Sequence, residues 1–423
     1  MYFWHEPIAK AMLRSFAFLG LLFILLVLPA CEKERTSPSS NSAIHYYAHS
    51  GTEIIRDAIF LKDGGVAYAG TALSQGYLFV LDADGKERWK AYVGGQEFEE
   101  FKSVIELRDG SLLGIGYTDS KSLGVVNANA DAWIVKFSSR GEILWQKVMG
   151  DKFREVLYAG LEDSQGNLFL VGMQNYSNAR SLYAKLDANG NVLYVKTSDI
   201  GPWHSLMGGV SETATGDYVI GGINSSSVVS AEANNYVTNL TVVQSSNGSI
   251  KHIEIFDAYV RSHALWLAAQ FRMDVHVTLN QATIASFFEV PTAKGRVQII
   301  RANLDGSLVF EKKYQGLGNL SFCNLERSTD GGYLLCGAST SKVLQPRLGF
   351  QNGKAVLIKL SPDCEQEWIS TVGEPTQYQS VKAAAEIPSG YTIAGQSINV
   401  KSGVYKMMTY KLNKEGELVY EAH

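Results

Sequence analysis

The sequence predicts an all-β chain: a seven-bladed β-propeller of four-stranded antiparallel blades, following a signal peptide and a flexible tether. Three observations predict this. A turn glycine with an aromatic residue four positions later recurs along the chain, most cleanly within Asp131–Gly150, DAWIVKFSSRGEILWQKVMG. A second phrase, a tight turn and an apolar strand ending in Gly, precedes most copies. Val, Ile, Leu and Tyr fall in short runs rather than strict alternation, as expected of strands covered on both faces.

The anchor pairs are Gly85/Trp89, Gly141/Trp145, Gly190/Tyr194, Gly306/Phe310 and Gly416/Tyr420. Two weaker members are Gly248 with His252, and Cys364, which stands in the glycine position before Trp368. The spacing is about 55 residues, suited to one propeller blade with long loops. The preceding hairpins are DGGVAYAG at Asp63–Gly70, DGSLLGIG at Asp109–Gly116, QGNLFLVG at Gln165–Gly172, TGDYVIGG at Thr215–Gly222, DGGYLLCG at Asp330–Gly337 and SGYTIAG at Ser389–Gly395. Asp-Gly between apolar runs signals a hairpin because the turn needs positive φ. Each unit therefore reads as strand A, tight turn, strand B, variable loop, strand C, tight turn, strand D. The fifth unit lacks its DGG turn between His263 and Asn280 and reads as a degenerate blade; the alternative is an inserted helix.

Taken from the start, residues 1–30 form a signal peptide. Arg14 precedes the apolar run Ser15–Leu28, which is short for a membrane span. The run ends LPAC at Leu28–Cys31 and resembles the bacterial lipoprotein signal, which implies that Cys31 is lipidated and becomes the mature N-terminus. The alternative is a cleaved secretory signal with an incidental cysteine. Residues 31–43 form a Ser/Thr/Pro/Asn-rich tether, too polar to bury a core. Lys33 before Glu34 is similar to the export signal of surface lipoproteins in Bacteroidetes. The propeller spans 44–423. Ile44–His49 and Leu418–Ala422 both look like a strand D, and the first should pair within the last blade to close the ring.

Charge is nearly balanced, 38 basic against 42 acidic residues, which argues against a nucleic-acid partner. Cys323 and Cys336 flank the turn at Asp330; in an oxidising compartment they would form a cross-strand disulfide, and otherwise they are buried thiols. Cys364 is expected to be an exposed thiol. No CxxC or HExxH spacing exists, and no metal or other cofactor is expected.

The A–B and C–D turns should emerge on one face of the disc, and the B–C loops and D–A connections on the other. The loops are Thr71–Gly76, Tyr117–Asp131, Met173–Ser181, Ile223–Asn235, Gln281–Gly295, Ala338–Ala355 and Gln396–Val404, with Phe287, Phe288 and Phe350 as apolar anchors. Phe98, Phe153, Trp203, Tyr259 and Tyr378 follow the strand D exits. They are either a ring of stacking platforms for a sugar or peptide, or wedges between blades. Glu97, Glu99 and Glu100 read as a charged loop, and Asp82 and Asp84 as turn residues. No catalytic set is visible.

The phrases LDADGKERW and FSSRGEILWQK, with DGG-type hairpins between them, resemble the repeat lipoproteins of Bacteroidetes and the quinoprotein-type propeller repeats over about residues 51–423. The Gly-to-Trp turn is also similar to the sialidase Asp-box, but no arginine cluster placed to hold a carboxylate is visible. These resemblances imply a propeller and leave function open. The expectation is a monomeric, lipid-anchored, non-catalytic binder of an envelope protein or glycan at the outer membrane, with a loop-assembled hydrolase or lyase acting on polysaccharide as the alternative.

Overall fold

The computed structural model describes residues 43–125, 130–175, 179–198, 204–225, 234–262, 273–288, 296–314, 319–340 and 352–420. These residues are all-β apart from one short 3-10 helix, Lys121–Leu123. A short strand β1 (Ile44–Tyr47) comes first. Five four-stranded antiparallel meanders follow. The first is β2 (Ile54–Phe60), β3 (Val66–Ala72), β4 (Gln75–Leu81) and β5 (Glu87–Val93). The second is β6 (Glu99–Glu106), β7 (Leu112–Thr118), β8 (Asp131–Phe137) and β9 (Ile143–Met149). The third is β10 (Glu155–Glu162), β11 (Leu168–Gln174), β12 (Arg180–Leu186) and β13 (Val192–Ser198). The fourth is β14 (His204–Glu212), β15 (Tyr218–Ser225), β16 (Asn234–Val243) and β17 (Ile250–Ser262). The fifth is β18 (Met273–Thr278), β19 (Gln281–Phe288), β20 (Arg296–Asn303) and β21 (Leu308–Tyr314).

An eight-stranded sheet completes the chain. It joins β22 (Asn319–Arg327), β23 (Tyr333–Thr340), β24 (Gly353–Leu360) and β25 (Gln366–Val372) to β26 (Gln377–Ile387), β27 (Gly390–Asn399), β28 (Tyr405–Asn413) and β1. One parallel pair, Gly353 with Tyr378, holds its halves together.

The first strands of successive groups touch in cyclic order, β2 to β6, β10, β14, β18, β22, β26 and back to β2. The arrangement is propeller-like, and apolar clusters fill the gaps between neighbouring groups. One example stacks Phe101 on Trp133 at 4.7 Å beside Leu78 and Val80 of the first sheet. Another stacks Phe169 on Tyr218 at 3.8 Å. The middle strands β3, β7, β8 and β11 are buried at every position, whereas the outer β9 and β13 are exposed or half-buried throughout. That gradient explains the unbroken apolar runs in the sequence.

The recurring glycine–aromatic phrase has a specific physical use. The aromatic of one sheet lies on the turn glycine of the next. A Cβ on Gly141 would sit 2.6 Å from Trp89, on Gly190 3.2 Å from Trp145, on Gly248 2.7 Å from Tyr194, and on Gly416 2.8 Å from Trp368. Each of these glycines also has positive φ, where a side chain is strained. Trp89 Nε1 donates to Ser139 O at 3.0 Å, and Tyr194 Oη to Ser245 O at 3.2 Å, so each ring grips the neighbouring turn. A second series of ties runs along the same face. Glu106, Glu162, Glu212 and Glu386 accept the turn amides of Lys62, Arg108, Ser164 and Thr329 in the preceding group of strands.

Cys364 keeps the left-handed turn conformation of the glycine it replaces, with φ 56°. It is not the exposed thiol expected from the sequence. It is fully buried, because the turn is pressed onto Phe310 and Tyr314 of the fifth sheet, and Tyr314 Oη donates to its carbonyl. Burial pushes the thiol up to about 11 despite nearby Arg301.

Both chain ends supply the outer edge of the last group. Leu418 bridges Leu412, and Val419 N donates to Lys411 O; from Tyr410 onward β1 takes over, pairing Ile44 with Tyr410 through Tyr47 with Met407. The expected strand D at Leu418–Ala422 is therefore reduced to a single bridge among the described residues. Tyr47, not Tyr420, supplies the aromatic that reaches the first sheet. Its hydroxyl donates to Gly85 O at 3.0 Å, while Tyr420 stays 58% exposed. Two further expectations change. Thr71–Gly76 is a two-residue turn at Leu73–Ser74, both at positive φ, rather than a loop. Gln281–Phe288, expected within a loop, is β19, reached through a tight turn at Leu279–Asn280 that contains no glycine.

Tyr47→Ala should cost about 2 kcal/mol, from lost packing and one hydrogen bond. Tyr420→Ala should stay within about 0.5 kcal/mol. Urea denaturation of both variants checks the pair; equal losses would mean that Tyr47 does not close the ring.

Candidate functional site

The innermost strands surround a cavity of about 260 Å³. Their sequences place its lining through a repeated irregularity. The pairing of the first strand with its neighbour slips by one residue in six of the seven groups, all but that of β18: between Ser321 and Cys323, and between Ile55 and Asp57, Phe101 and Ser103, Leu157 and Ala159, Met207 and Gly209, and Val381 and Ala383. The extra residues at the last five slips are Arg56, Lys102, Tyr158, Gly208 and Lys382, and all five line the cavity. A bulge re-aims its side chain out of the ladder. Side chains then stitch neighbouring inner strands: Asp57 accepts Ser103 Oγ and Val104 N, Asp274 accepts Leu325 N, and Asn324 donates to Lys382 O. His276 is half-buried in this wall, bonded to Leu325 O, and burial lowers its basicity.

Charged and aromatic groups converge on the loop side of this cavity, between the first three sheets. Glu100 is buried and shared: Arg56 Nε binds one oxygen and Lys102 Nζ the other. Burial alone would raise the Glu100 pKa, but the two cations hold it below the usual carboxylate range. Burial lowers that of Lys102. Two cations lie over the Tyr117 ring, Lys102 Nζ at 5.4 Å and Arg154 Cζ at 5.1 Å from its centre. Phe98 packs on Tyr117 at 6.0 Å, and Tyr158 joins the same apolar patch.

Beside this patch is a junction of carboxyl groups: Asp119, Asp131, Asp151 and Glu155. Burial, then the charges of Asp151 and Asp119, pushes Asp131 up to about 6. Burial, then Asp151 and Asp131, pushes Glu155 up to about 7, although Gln174 Nε2 donates to its Oε1 at 2.9 Å. Asp131 Oδ1 and Glu155 Oε2 are buried without hydrogen-bond partners among the described residues. Glu53 and Glu99 occupy the position equivalent to Glu155 and also carry one unbonded oxygen, so a buried carboxyl there is partly a feature of the repeat. Glu155 differs in having acidic neighbours. Burial would raise Glu53 too, but hydrogen bonds from Ser50 lower it. Groups titrating near neutrality are suited to donating or accepting a proton. Among the described residues no three of these groups are placed to hold a metal ion.

The residues singled out from sequence are dispersed. Phe98 joins the patch at the cavity mouth. Phe153 sits half-buried under Lys152. Tyr378 is buried with Ala338 and Ile398, as a wedge. Tyr259 falls inside β17 rather than after it, because that strand runs on to Ser262. Phe287 and Phe288 end β19; their side chains, like Trp203 and Phe350, lie outside the described residues. Glu99 and Glu100 are buried, not part of a charged loop, because they open β6 at the sheet interface. The register pairs Cys336 with Asn324 and Cys323 with Gly337, one step from the direct cross-strand pairing a disulfide would use. Arg56, Lys102 and Arg154 form the cationic group that no stretch of sequence displays. Aligning the repeats on the interrupted apolar runs IIRDAI and EFKSVI would have put the first two in register.

No family model matches the chain, and no curated protein sequence matches it. Among solved structures, the chain is similar to a polysaccharide lyase of family PL25, an ulvan lyase. The TM-score is 0.53 at 9% identity, covering 88% of this chain and 94% of that one. The same lyase bound to -[GlcA(1-4)Rha3S]- gives 0.56 at 10% identity, covering 88% and 96%. A protein of unknown function from Dyadobacter fermentans gives 0.47 at 13% identity, covering 86% and 96%. At these identities the likeness shows the fold.

Folded Glu155 holds its proton more tightly than the unfolded chain, where Glu titrates near about 4.3. Its contribution to stability is therefore present below about pH 4 and lost as pH rises through about 7. Glu155→Gln should flatten the fall in melting temperature between pH 4.5 and pH 7 and raise it at pH 8. An unchanged pH profile would show that Glu155 titrates normally.

Proposed function

We propose that this chain is a seven-bladed propeller, lipidated at Cys31 and held at the outer membrane, that binds a glycan at its loop-side opening. The observation that carries this reading is the meeting of Tyr117, Phe98 and Tyr158 with Arg154, Lys102 and Arg56 at one edge of the central cavity. The part-exposed rings of Phe98 and Tyr158 can stack on the apolar faces of sugar rings, buried Tyr117 positions the cations over it, and their N–H donors take sugar oxygens. A protein partner through the same face is the other form of the non-catalytic reading.

The carboxyl junction supports a second reading, a hydrolase or lyase acting on polysaccharide. Glu155 and Asp131, near 7 and 6, would be the proton-transfer groups. The lyase among the structural neighbours fits this reading through its fold.

A glycan array of the mature chain tests binding, and Tyr117→Ala should weaken any hit at least fivefold; silence across the array would remove the glycan reading. Product analysis of bound polysaccharides, with and without Glu155→Gln, separates binding from cleavage. For the anchor, Cys31→Ser should abolish labelling by a fatty-acid analogue and release the protein from the membrane fraction. Continued labelling of the variant would place the lipid elsewhere or rule out this lipidation signal.

A further inference from the structure

Resting on the glycan reading, we propose that the ligand is acidic. The geometry points to a subsite for a sugar carboxylate or sulfate among Arg154, Lys102 and Arg56, beside Tyr117.

The charge inventory at this corner is uneven. Arg56 and Lys102 divide a single carboxylate, Glu100, one oxygen each. Asp57, the nearest alternative on β2, is committed to Ser103 Oγ and Val104 N. Arg154 lies over the Tyr117 ring, and its guanidinium makes no ion pair or hydrogen bond among the described residues. Asp119 sees Arg154 only through space, with its own Oδ1 buried and unbonded. Arg154 is thus the one cation of the three without an ion-pair partner among the described residues, and the carboxyl groups Asp119, Asp131, Asp151 and Glu155 beside it leave its donor edge unused. A planar guanidinium stacked on an aromatic ring keeps its donor edge in place for a carboxylate or sulfate.

The fold does not require these charges. Tyr158 and Gly208 occupy the bulge position in the third and fourth sheets, where Arg56 and Lys102 stand in the first two. Burying Lys102 beside Arg56 opposes folding, as the lowered Lys102 pKa reflects. Both cations also compensate the buried Glu100 carboxylate, but one carboxylate shared between two cations leaves them charge to offer a ligand of opposite sign. The cavity, about 260 Å³, lies just under the usual range for small-molecule pockets, roughly 300–1,000 Å³. Arg56 and Lys102 line it, with Arg154 and Tyr117 outside its lining, so it suits one charged unit or a chain end, with the rest of the polymer on the loop surface.

The test is calorimetry on the mature protein with polygalacturonate, dextran sulfate and neutral dextran at fixed salt. The acidic polymers should bind and dextran should not. Arg154→Ala and Lys102→Met should each weaken binding roughly tenfold, the scale of one charge-assisted hydrogen bond, and Arg154→Lys should recover part of the loss. Lys196→Ala, on the exposed outer strand β13, should change nothing, and loss in that control would mean diffuse attraction rather than a site. Melting curves for each variant separate lost binding from lost folding. If neutral dextran binds as well as the acidic polymers, or Arg154→Ala leaves acid binding intact, the subsite is wrong while glycan binding stands. If no glycan binds here or on the array, both fall.

Discussion

The structure depends on an aromatic ring of one sheet resting on the turn of the next. Trp89 on Gly141 shows why the pair is needed: the turn takes positive φ, and the space a Cβ would occupy is already filled by the indole. One glycine thus meets two demands, conformational and steric. The same step repeats at Gly190, Gly248 and Gly416 and fixes the order and spacing of the sheets. His252 near Gly306 and Phe310 near Cys364 show that the step tolerates weaker chemistry. Where glycine is lost at Cys364, the backbone still turns left-handed, at a cost of about 1 kcal/mol or more.

That coupling made the fold legible. The glycine–aromatic period located successive sheets, and the Asp-Gly turns located their hairpins. Errors arose where geometry is reached without its usual residue. Leu279–Asn280 turns as tightly as an Asp-Gly pair, so nothing in the residue pattern marks the start of β19. The turn position of Cys364 points to exposure, and only the fifth-sheet rings that cover it reverse that. The fate of the C-terminal segment depends on competition for one edge: β1 makes four register pairs with β28, whereas Leu418 makes one.

The site was much less legible. Arg56, Lys102 and Arg154 are contributed by three different repeats, and no local motif joins them. What unites Arg56 and Lys102 is a bulge, a property of strand pairing. Glu99 and Glu100 look like surface charge beside Glu97, but the sheet interface closes over them as β6 begins. The neighbours of Glu155 come from β8 and from the connection preceding β10, so its titration near neutrality arises only when those segments meet. Phe98 was found by its position after a strand exit, yet its partner Tyr117 ends a different strand.

The N-terminal strand enters at Ile44, next to the turn that follows β28, and lies antiparallel along β28. Tension applied along the axis of that strand would shear it against β28. The four pairs to β28 would then bear load together instead of opening one at a time, and Tyr47 would have to be dragged off Gly85 before the ring could part. The seam that joins the two ends of the chain is thus a shear clamp, and mechanical rupture there would be governed by the height of one barrier rather than by equilibrium stability.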